Sequence, residues 1–171
     1  FETEKVDVFA GPNFLVTHHE KEVKGIFDTR GLVAKNPGSL LRSPDWLLHG
    51  ILNAVVDNYQ PAMSGLEARI ARVYASVVAG EEADVGDLLV ARRELLWLER
   101  LADLQHHMVA ELGDVASVPA ASGFVQDENR VYFRDVADHL RHLRHRASFH
   151  AAVAMSTMTA ATASESRAAH A

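Results

Sequence analysis

The chain has 171 residues, of which 48% are hydrophobic, 7% aromatic and 23% charged, which is typical of a globular protein of about one domain with a core of Leu, Val and Ala. It contains no cysteine, so disulfides, thiolate metal sites and cysteine nucleophiles are excluded, and its formal net charge of −6 argues against nucleic acid as the main partner. No stretch approaches the ~18 consecutive apolar residues of a membrane-spanning helix and the first residues do not resemble a signal peptide, so we expect a soluble chain.

The N-terminal residues predict a β-hairpin. Residues 5–10 (KVDVFA) and 14–17 (FLVT) are rich in strand-forming side chains, and the turn-forming sequence Gly11-Pro12-Asn13 separates them. A lone hairpin is only marginally stable in water, so it must lie on a larger sheet or on a helix. No other strand is predicted after it, and we therefore expect the rest of such a sheet to lie outside this sequence.

A short helical segment and a loop precede a strong helix start. Residues 23–33 predict a short helix that ends near Gly31, and residues 35–41 predict a loop that includes a helical turn. Serine is a favoured N-cap, proline fits the first helical position, and an acid is favourable in the first turn. The residues that meet these three conditions are Ser43, Pro44 and Asp45.

The helix that begins at Pro44 is interrupted by Pro61, which lacks a backbone N–H and should kink or break the hydrogen-bond ladder. The apolar pattern then resumes and ends by Gly80, so we expect one bent helix or two helices in series. The residues predicted to be buried are Leu47, Leu48, Ile51, Leu52, Val55, Val56 and Tyr59, and the resumed apolar pattern consists of Met63, Leu66, Ile70, Val73 and Val77.

A third helix is predicted over residues 85–112, after an acidic turn at residues 81–84. Gly113 is placed to cap its C-terminus, and residues 114–123 form a loop of small residues. The apolar residues of this helix are Leu88, Leu89, Leu95, Leu98, Leu101, Leu104, Met108 and Leu112.

Residues 126–171 contain no glycine or proline, so one helix of about 60–65 Å can run through them. Its apolar residues recur in alternating steps of three and four, which predicts a packing seam. The seam is built from large residues first and fades into Ala, Thr, Ser and Met after Ala147. Its members are Phe133, Val136, Leu140, Leu143, Ala147, His150 and Ala154.

These elements predict a mainly α fold with a small N-terminal β-hairpin, long antiparallel helices and a long C-terminal helix. Four segments also carry a family resemblance: VFAGPNFLVTHHE at 8–20, LLHGILNAVVDNY at 47–59, RRELLWLER at 92–100 and YFRDVADH at 132–139. In this order they resemble four segments of CorA-type divalent metal ion transporters. These are the last hairpin of the α/β domain, the "LLYALLDAIVDRY" and "RRELLRLRR" helices, and the "YFRDVYDH" start of the stalk helix.

The resemblance implies a homopentameric magnesium or cobalt channel whose stalk helix continues into a membrane pore. The family's pore helices, its Gly-Met-Asn signature and most of its α/β sheet do not occur in this sequence. We therefore expect a truncated cytosolic domain, a remnant of an α/β domain plus a helical stalk, on the cytoplasmic side of the inner membrane. Its implied parts are a terminal hairpin at 1–22, a long-helix region at 23–124 and a stalk helix at 125–171 that leads to the absent transmembrane pore.

Asp135 matches a family aspartate that binds a regulatory Mg²⁺ between subunits. One helical carboxylate suffices on one side of such a site, because Mg²⁺ keeps several water ligands. The alternative is an ordinary solvated acid or an i,i+4 partner of His139. A second family acid aligns with Thr159, a poor ligand for a hard cation. The threonine in place of the acid puts in doubt that a bound metal ion gates the channel, and it fits the family's zinc-transporting branch equally well.

His139 and His142 lie three residues apart on the helix face that begins at Asp135. Imidazoles at this spacing can share a transition metal such as Zn²⁺ or Ni²⁺, and His145 continues the spacing. The alternative is an ordinary polar helix face. The candidate metal ligands are therefore Asp135, His139 and His142, with Mg²⁺ or Co²⁺, or else Zn²⁺, as the ion.

Charged residues are concentrated in two places. The last helix is locally basic, which would suit an anionic partner or salt bridges to acids on neighbouring helices. Because almost no aromatic residues lie among these arginines, we expect salt bridges and no binding of nucleic acid. The ends of the long helices are acidic, which would suit either cation attraction or a solvated turn. The basic residues are Arg130, Arg134, Arg141, Arg144 and Arg146, and the acidic ones are Glu67, Glu81, Glu82, Asp84 and Asp87.

No motif indicates catalysis, since the chain has no nucleophile elbow, zinc-protease helix, P-loop or dinucleotide fingerprint. Two hypotheses remain. The chain is the cation-sensing domain of a CorA-like transporter, or it is a soluble helical interaction module without metal function.

Overall fold

A computed structural model describes residues 3–114 and 123–169, with side chains described through residue 163. Most of the predicted loop at 114–123 lies outside the described residues. The described chain confirms the mainly α fold with one N-terminal hairpin and a long last helix. Its elements are β1 (Asp7–Gly11), β2 (Phe14–His18), α1 (Lys24–Lys35), α2 (Pro37–Leu40), α3 (Pro44–Asp57), α4 (Tyr59–Ala79), α5 (Val85–Gly113), a 3₁₀ turn (Asp127–Asn129) and α6 (Arg130–Ala169).

Two compact units make up the described residues. The first is drawn from the ranges Phe1–Tyr59 and Leu104–Arg141, and the second from Gln60–Asp103 and His142–Ala171. Each unit thus combines residues from more than one of the three segments inferred from the family resemblance, and that three-part organisation stays a prediction.

The predicted hairpin is present in the first unit. Strands β1 and β2 pair antiparallel with Gly11 opposite Phe14, so Pro12 and Asn13 form the two-residue turn. Leu15 on β2 faces α1 and α3 across an apolar hollow of about 320 Å³. The other face of the hairpin is exposed, since Phe9 remains 60% accessible.

Helix α3 begins as the sequence predicts. The Ser43 hydroxyl accepts a hydrogen bond from the Trp46 N–H, and Pro44 occupies the first helical position. The indole N–H of Trp46 donates to the Ser39 carbonyl at 2.8 Å and so ties α3 to the four-residue helix before it. The predicted helical turn within residues 35–41 is this helix, α2.

The break predicted at Pro61 occurs three residues earlier, at Asn58, and produces two helices in series. Asn58 closes α3, because its backbone N–H and its side-chain amide both donate to the Ala54 carbonyl, at 3.2 and 2.8 Å. Pro61 then lies in the first turn of α4, where its missing N–H would have no helical acceptor. At its other end α4 stops at Gly80, which takes a left-handed φ of 71°.

The core of the first unit lies where α1, α3, the end of α5 and the start of α6 meet. Its fully buried side chains include Phe133 and Val109, each 0% exposed. Ile26, Leu48, Ile51, Val56, Val125, Val136 and Leu140 are also buried.

In the second unit, large residues on α4 and α5 are buried together with small ones on α6. The predicted seam of α6 is confirmed and continues beyond Ala154, although His150 remains partly exposed. The small half of α6 therefore has close neighbours. The buried residues are Met63, Leu66, Ile70, Val73, Leu88, Ala91, Leu95, Leu98, Ala102, Leu143, Ala147, Ala151, Ala154, Thr157 and Ala161.

Two predictions about glycines are wrong. Helix α1 runs through Gly31 to Lys35. Gly113 is the last residue of α5 with a negative φ, and it serves close approach rather than capping. A Cβ added there would lie 2.8 Å from Arg134 Cγ and 3.4 Å from the Arg134 backbone nitrogen, so only glycine lets α5 and α6 come this close.

Alanine at Gly113 and at Gly65 is expected to have opposite effects. Gly113→Ala should lower the free energy of unfolding by about 1–2 kcal/mol, because the new methyl group overpacks against α6. Gly65→Ala should raise it by about 0.5–1 kcal/mol, because Gly65 is inside α4 with nothing within 4 Å of its added Cβ. Urea unfolding of both variants measures the two signs, and equal stabilisation would contradict the close approach at Gly113.

Candidate metal-binding site

The three predicted ligands all lie on α6, and all three side chains are exposed. Asp135 and His139 belong to the first unit and His142 to the second. Within the described residues, no group of three His, Asp or Glu side chains is arranged to hold a metal ion, and no ion pair joins Asp135 to His139. Asp135 lies close enough to His49 on α3 for its negative charge to act on the pKa of that histidine.

His49 is packed among aromatic rings. Its ring centroid lies 5.2 Å from that of Trp46, 5.5 Å from Tyr132 and 6.1 Å from Phe133. Burial lowers the pKa of His49 below its usual 6.5, and the negative charge of Asp135 offsets part of this effect. The imidazole is therefore neutral at pH 7, which is the form that can donate a lone pair.

Asp45 fixes the start of α6 relative to α3. Although it lies in the first turn of a helix, its side chain is fully buried. Its Oδ2 accepts from the Asn129 amide at 3.0 Å and from the Gln126 N–H at 2.9 Å, and its Oδ1 accepts from the Trp46 N–H and the Ser43 hydroxyl. Burial raises the pKa of Asp45, but these hydrogen bonds outweigh burial and hold the pKa below its usual 3.8.

Arg130, the first residue of α6, fixes that helix to the end of α5. Its guanidinium is almost fully buried and donates to the carbonyls of Leu112 and Asp114, at 3.4 and 3.3 Å, and to Asp127 at 2.8 Å. It thereby satisfies carbonyls that the helix end leaves without a helical partner. Neither this role nor that of Asp45 was predicted from the sequence.

The sequence model of the CorA-like Mg²⁺ transporter protein family matches residues 2–163, which is nearly the whole chain. The chain belongs to this family. It is 30% identical over 147 residues to the putative metal ion transporter YfjQ of Bacillus subtilis. That match covers 81% of this chain and 42% of YfjQ, so the chain spans less than half the length of this relative.

Solved structures share the fold of this CorA-like chain. The full-length CmaX protein superimposes with a TM-score of 0.84 at 15% identity, over 98% of this chain and 50% of CmaX. The CorA magnesium transporter of Methanocaldococcus jannaschii gives 0.78 at 17% identity, over 98% of this chain and 60% of that protein. Its soluble domain gives 0.71 at 17% identity, over 95% and 71% of the two chains.

The family is one of transporters, and no helix among the described residues of this CorA-like chain combines the length and apolar character needed to cross a membrane. The predicted ligands nevertheless fit a divalent cation in part. The exposed carboxylate of Asp135 is the kind of oxygen ligand that a hydrated Mg²⁺ accepts singly. Thr159 does not fit as well, because its hydroxyl donates to the Met155 carbonyl of its own helix at 3.1 Å.

Most of the basic residues of α6 are paired with acids, as the salt-bridge interpretation predicts. Arg144 pairs with Asp103 at 2.5 Å and Arg141 with Asp138 at 2.8 Å. Glu67 is also engaged: it accepts from Arg146 at 2.9 Å and lies 3.2 Å from His150 Nε2. Arg146 is therefore committed to an ion pair within the second unit.

A second ion-pair cluster joins α4 to α5. The Arg69 guanidinium bridges Asp87 and Glu94, two acids that lie two helical turns apart, and reaches Glu94 Oε2 at 2.8 Å. The paired guanidinium holds the pKa of Asp87 below its usual 3.8. Asp87 thus serves in a salt bridge and is not a free acid of the helix end.

Proposed function

We propose that this chain is the cytosolic, cation-sensing domain of a divalent metal ion transporter, with Mg²⁺ or Co²⁺ as the ion. The observation that carries the proposal is the match of the CorA-like Mg²⁺ transporter family over residues 2–163. The similarity to a putative metal ion transporter supports the same class of function.

In this proposal α6 is the stalk helix that leads toward a pore segment in the membrane, and the full-length protein is a homopentamer in the inner membrane. Residues 1–22 are then the last hairpin of an α/β domain, residues 23–124 the long-helix region and residues 125–171 the stalk. The exposed position of Asp135 near the start of the stalk supports its role as the carboxylate that meets a hydrated cation between subunits.

Two alternatives are kept because particular residues favour them. Thr159, at a position where the family has an acid, fits the zinc-transporting branch equally well, and the exposed imidazoles of His139 and His142 are suitable zinc ligands. The engagement of Glu67, Asp87 and Asp103 in ion pairs favours a helical interaction module without metal function, since paired acids are less available to cations.

Thermal unfolding of the chain in chelator and then in Mg²⁺, Co²⁺ or Zn²⁺ tests the proposal. An ion at ~100 times its dissociation constant should stabilise the folded chain by about 2.7 kcal/mol. We expect this shift with Mg²⁺ or Co²⁺, and we expect Asp135→Asn to abolish it. The matched control is Asp138→Asn, which removes an exposed acid from the same helix and should leave the shift in place.

The same measurement separates the alternatives. A shift with Zn²⁺ alone that survives Asp135→Asn and disappears in the double variant His139→Ala, His142→Ala would favour the zinc-transporting branch. If no ion changes the unfolding temperature of the wild-type chain, cation sensing by this domain is refuted, and the interaction module becomes the better hypothesis.

A further inference from the structure

We propose that the apolar hollow of the first unit binds a small carboxylate with an aliphatic tail, such as a medium-chain fatty acid, and that Arg30 on α1 holds the carboxylate. The hollow lies between the hairpin, α1 and α3 and has a volume of about 320 Å³. Small-molecule sites in proteins span roughly 300–1,000 Å³, so the hollow suits a ligand with a short tail. This proposal does not rest on cation sensing.

Aliphatic side chains from three elements form the walls of the hollow. They are Leu15 from β2, Ile26 and Val33 from α1, and Leu47 and Ile51 from α3. Ile26 and Ile51 are buried in the core of the first unit, whereas Leu41, which also lines the hollow, is 56% exposed. The hollow is therefore open to solvent. A tail bound in it would remove apolar wall from water, which favours binding.

Two polar side chains that line the hollow are without a partner among the described residues. Arg30 is exposed, and its guanidinium makes no hydrogen bond or ion pair within this part of the chain. The hydroxyl of Thr17 on β2 likewise makes no hydrogen bond there. Thr29, the third polar residue of the walls, is buried, and its hydroxyl donates to the Gly25 carbonyl at 2.7 Å. Arg30 and Thr17 are therefore the groups that can bind a polar head group.

The charges around Arg30 favour an anion as the ligand. Asp28 is the one acidic residue of α1, and it is already paired with Lys24 at 2.6 Å. Strand β2 contains no acidic residue. A guanidinium with free donors binds a carboxylate through two parallel hydrogen bonds, a geometry that neutral and cationic head groups cannot match. The combination of aliphatic walls with one uncompensated guanidinium therefore indicates a monocarboxylate with an aliphatic tail.

The chain has three isoleucines, and ¹³C labelling of their methyl groups tests the site by NMR. Ile26 and Ile51 line the hollow, whereas Ile70 is buried in the second unit and serves as an internal control. On titration with sodium octanoate, we expect the methyl signals of Ile26 and Ile51 to shift and saturate and the signal of Ile70 to stay unchanged. Octyltrimethylammonium has the same tail and the opposite charge, and it should bind at least about tenfold more weakly.

Arg30→Gln is the informative variant, because it removes the charge from an exposed side chain and should leave the fold intact. We expect it to weaken octanoate binding by at least about tenfold, the effect of losing a hydrogen bond to a charged group. The matched control is Lys35→Gln, which removes a positive charge from an exposed residue at the end of the same helix. Lys35 does not line the hollow, so the control should keep the affinity for octanoate.

Three results would overturn the proposal. If the signals of Ile26 and Ile51 show no saturable shift in the wild-type chain, the hollow is not a site for this class of ligand. Unchanged octanoate affinity in Arg30→Gln, or equal affinity for octyltrimethylammonium, would overturn the role of Arg30 and the preference for a carboxylate. Equal shifts of the Ile70 signal would show that the tail binds without a specific site.

Discussion

Replacing Phe133 by alanine is expected to lower the free energy of unfolding by about 4 kcal/mol, the largest effect of any single change considered for this protein. Phe133 is 0% exposed and is the largest side chain in the buried seam of α6. The variant would lose the burial of an aromatic ring and leave a cavity where the first unit can relax only in part. Urea unfolding followed by circular dichroism measures the change.

The chain offers a control on the same helix. Phe149 is 64% exposed, so Phe149→Ala should change the free energy of unfolding by no more than about 0.5 kcal/mol. Phe133→Leu restores most of the lost volume and should recover about half of the stability. Comparable losses in Phe133→Ala and Phe149→Ala would contradict the assignment of the buried face of α6.

The buried face of α6 could be predicted because its sequence offers one arrangement. Large apolar residues recur at steps of three and four from Phe133 to Leu143, and the charged residues between them leave no second apolar face. On α5 the sequence is ambiguous, because leucines occur around the helix. The buried seam of α5 runs through Ala91 and Ala102, because small residues permit the closest approach of neighbouring helices. Leu104, in contrast, is 61% exposed.

The roles of Asp45 and Arg130 could not be predicted, because their partners are distant or lack a sequence signal. Asp45 has the position of an ordinary acid in a first helical turn, but its hydrogen-bond partners Gln126 and Asn129 lie 81 and 84 residues away. Arg130 belongs to a basic stretch, yet it is buried against backbone carbonyls, which every sequence supplies.

The same limit applies to the candidate site. A family resemblance identified Asp135 as a candidate ligand. The spacing of three residues between His139 and His142 identified these two histidines. Nothing in the sequence links Asp135 to His49, because the effect of its charge on His49 depends on how α3 packs against α6. Sequence patterns report the period of one helix, whereas a metal site is defined by side chains from several elements.

Replacing Asp45 by alanine is expected to lower the free energy of unfolding by about 3 kcal/mol at pH 7. The change leaves the Asn129 amide and the Gln126 N–H without their acceptor at a buried position, and it removes the link between α3 and the start of α6. Asp57→Ala, an exposed acid at the end of the same helix, is the matched control and should change stability by less than about 0.5 kcal/mol. Equal effects would mean that the buried carboxylate adds nothing to stability.

Asp45→Asn allows the charge to be tested separately from the hydrogen bonds, through the dependence of stability on pH. Because the folded-state pKa lies below 3.8, the unfolded chain binds more protons between the two pKa values, so the charge of Asp45 stabilises the fold above pH 3.8. That stabilisation is lost as the pH falls through the folded-state pKa. The amide cannot titrate, and the wild-type advantage over Asp45→Asn should therefore shrink as the pH is lowered from about 5 to 2. Urea unfolding of both proteins across this range measures the difference, and an advantage that stays constant would show that the Asp45 pKa is the same in the folded and unfolded chains.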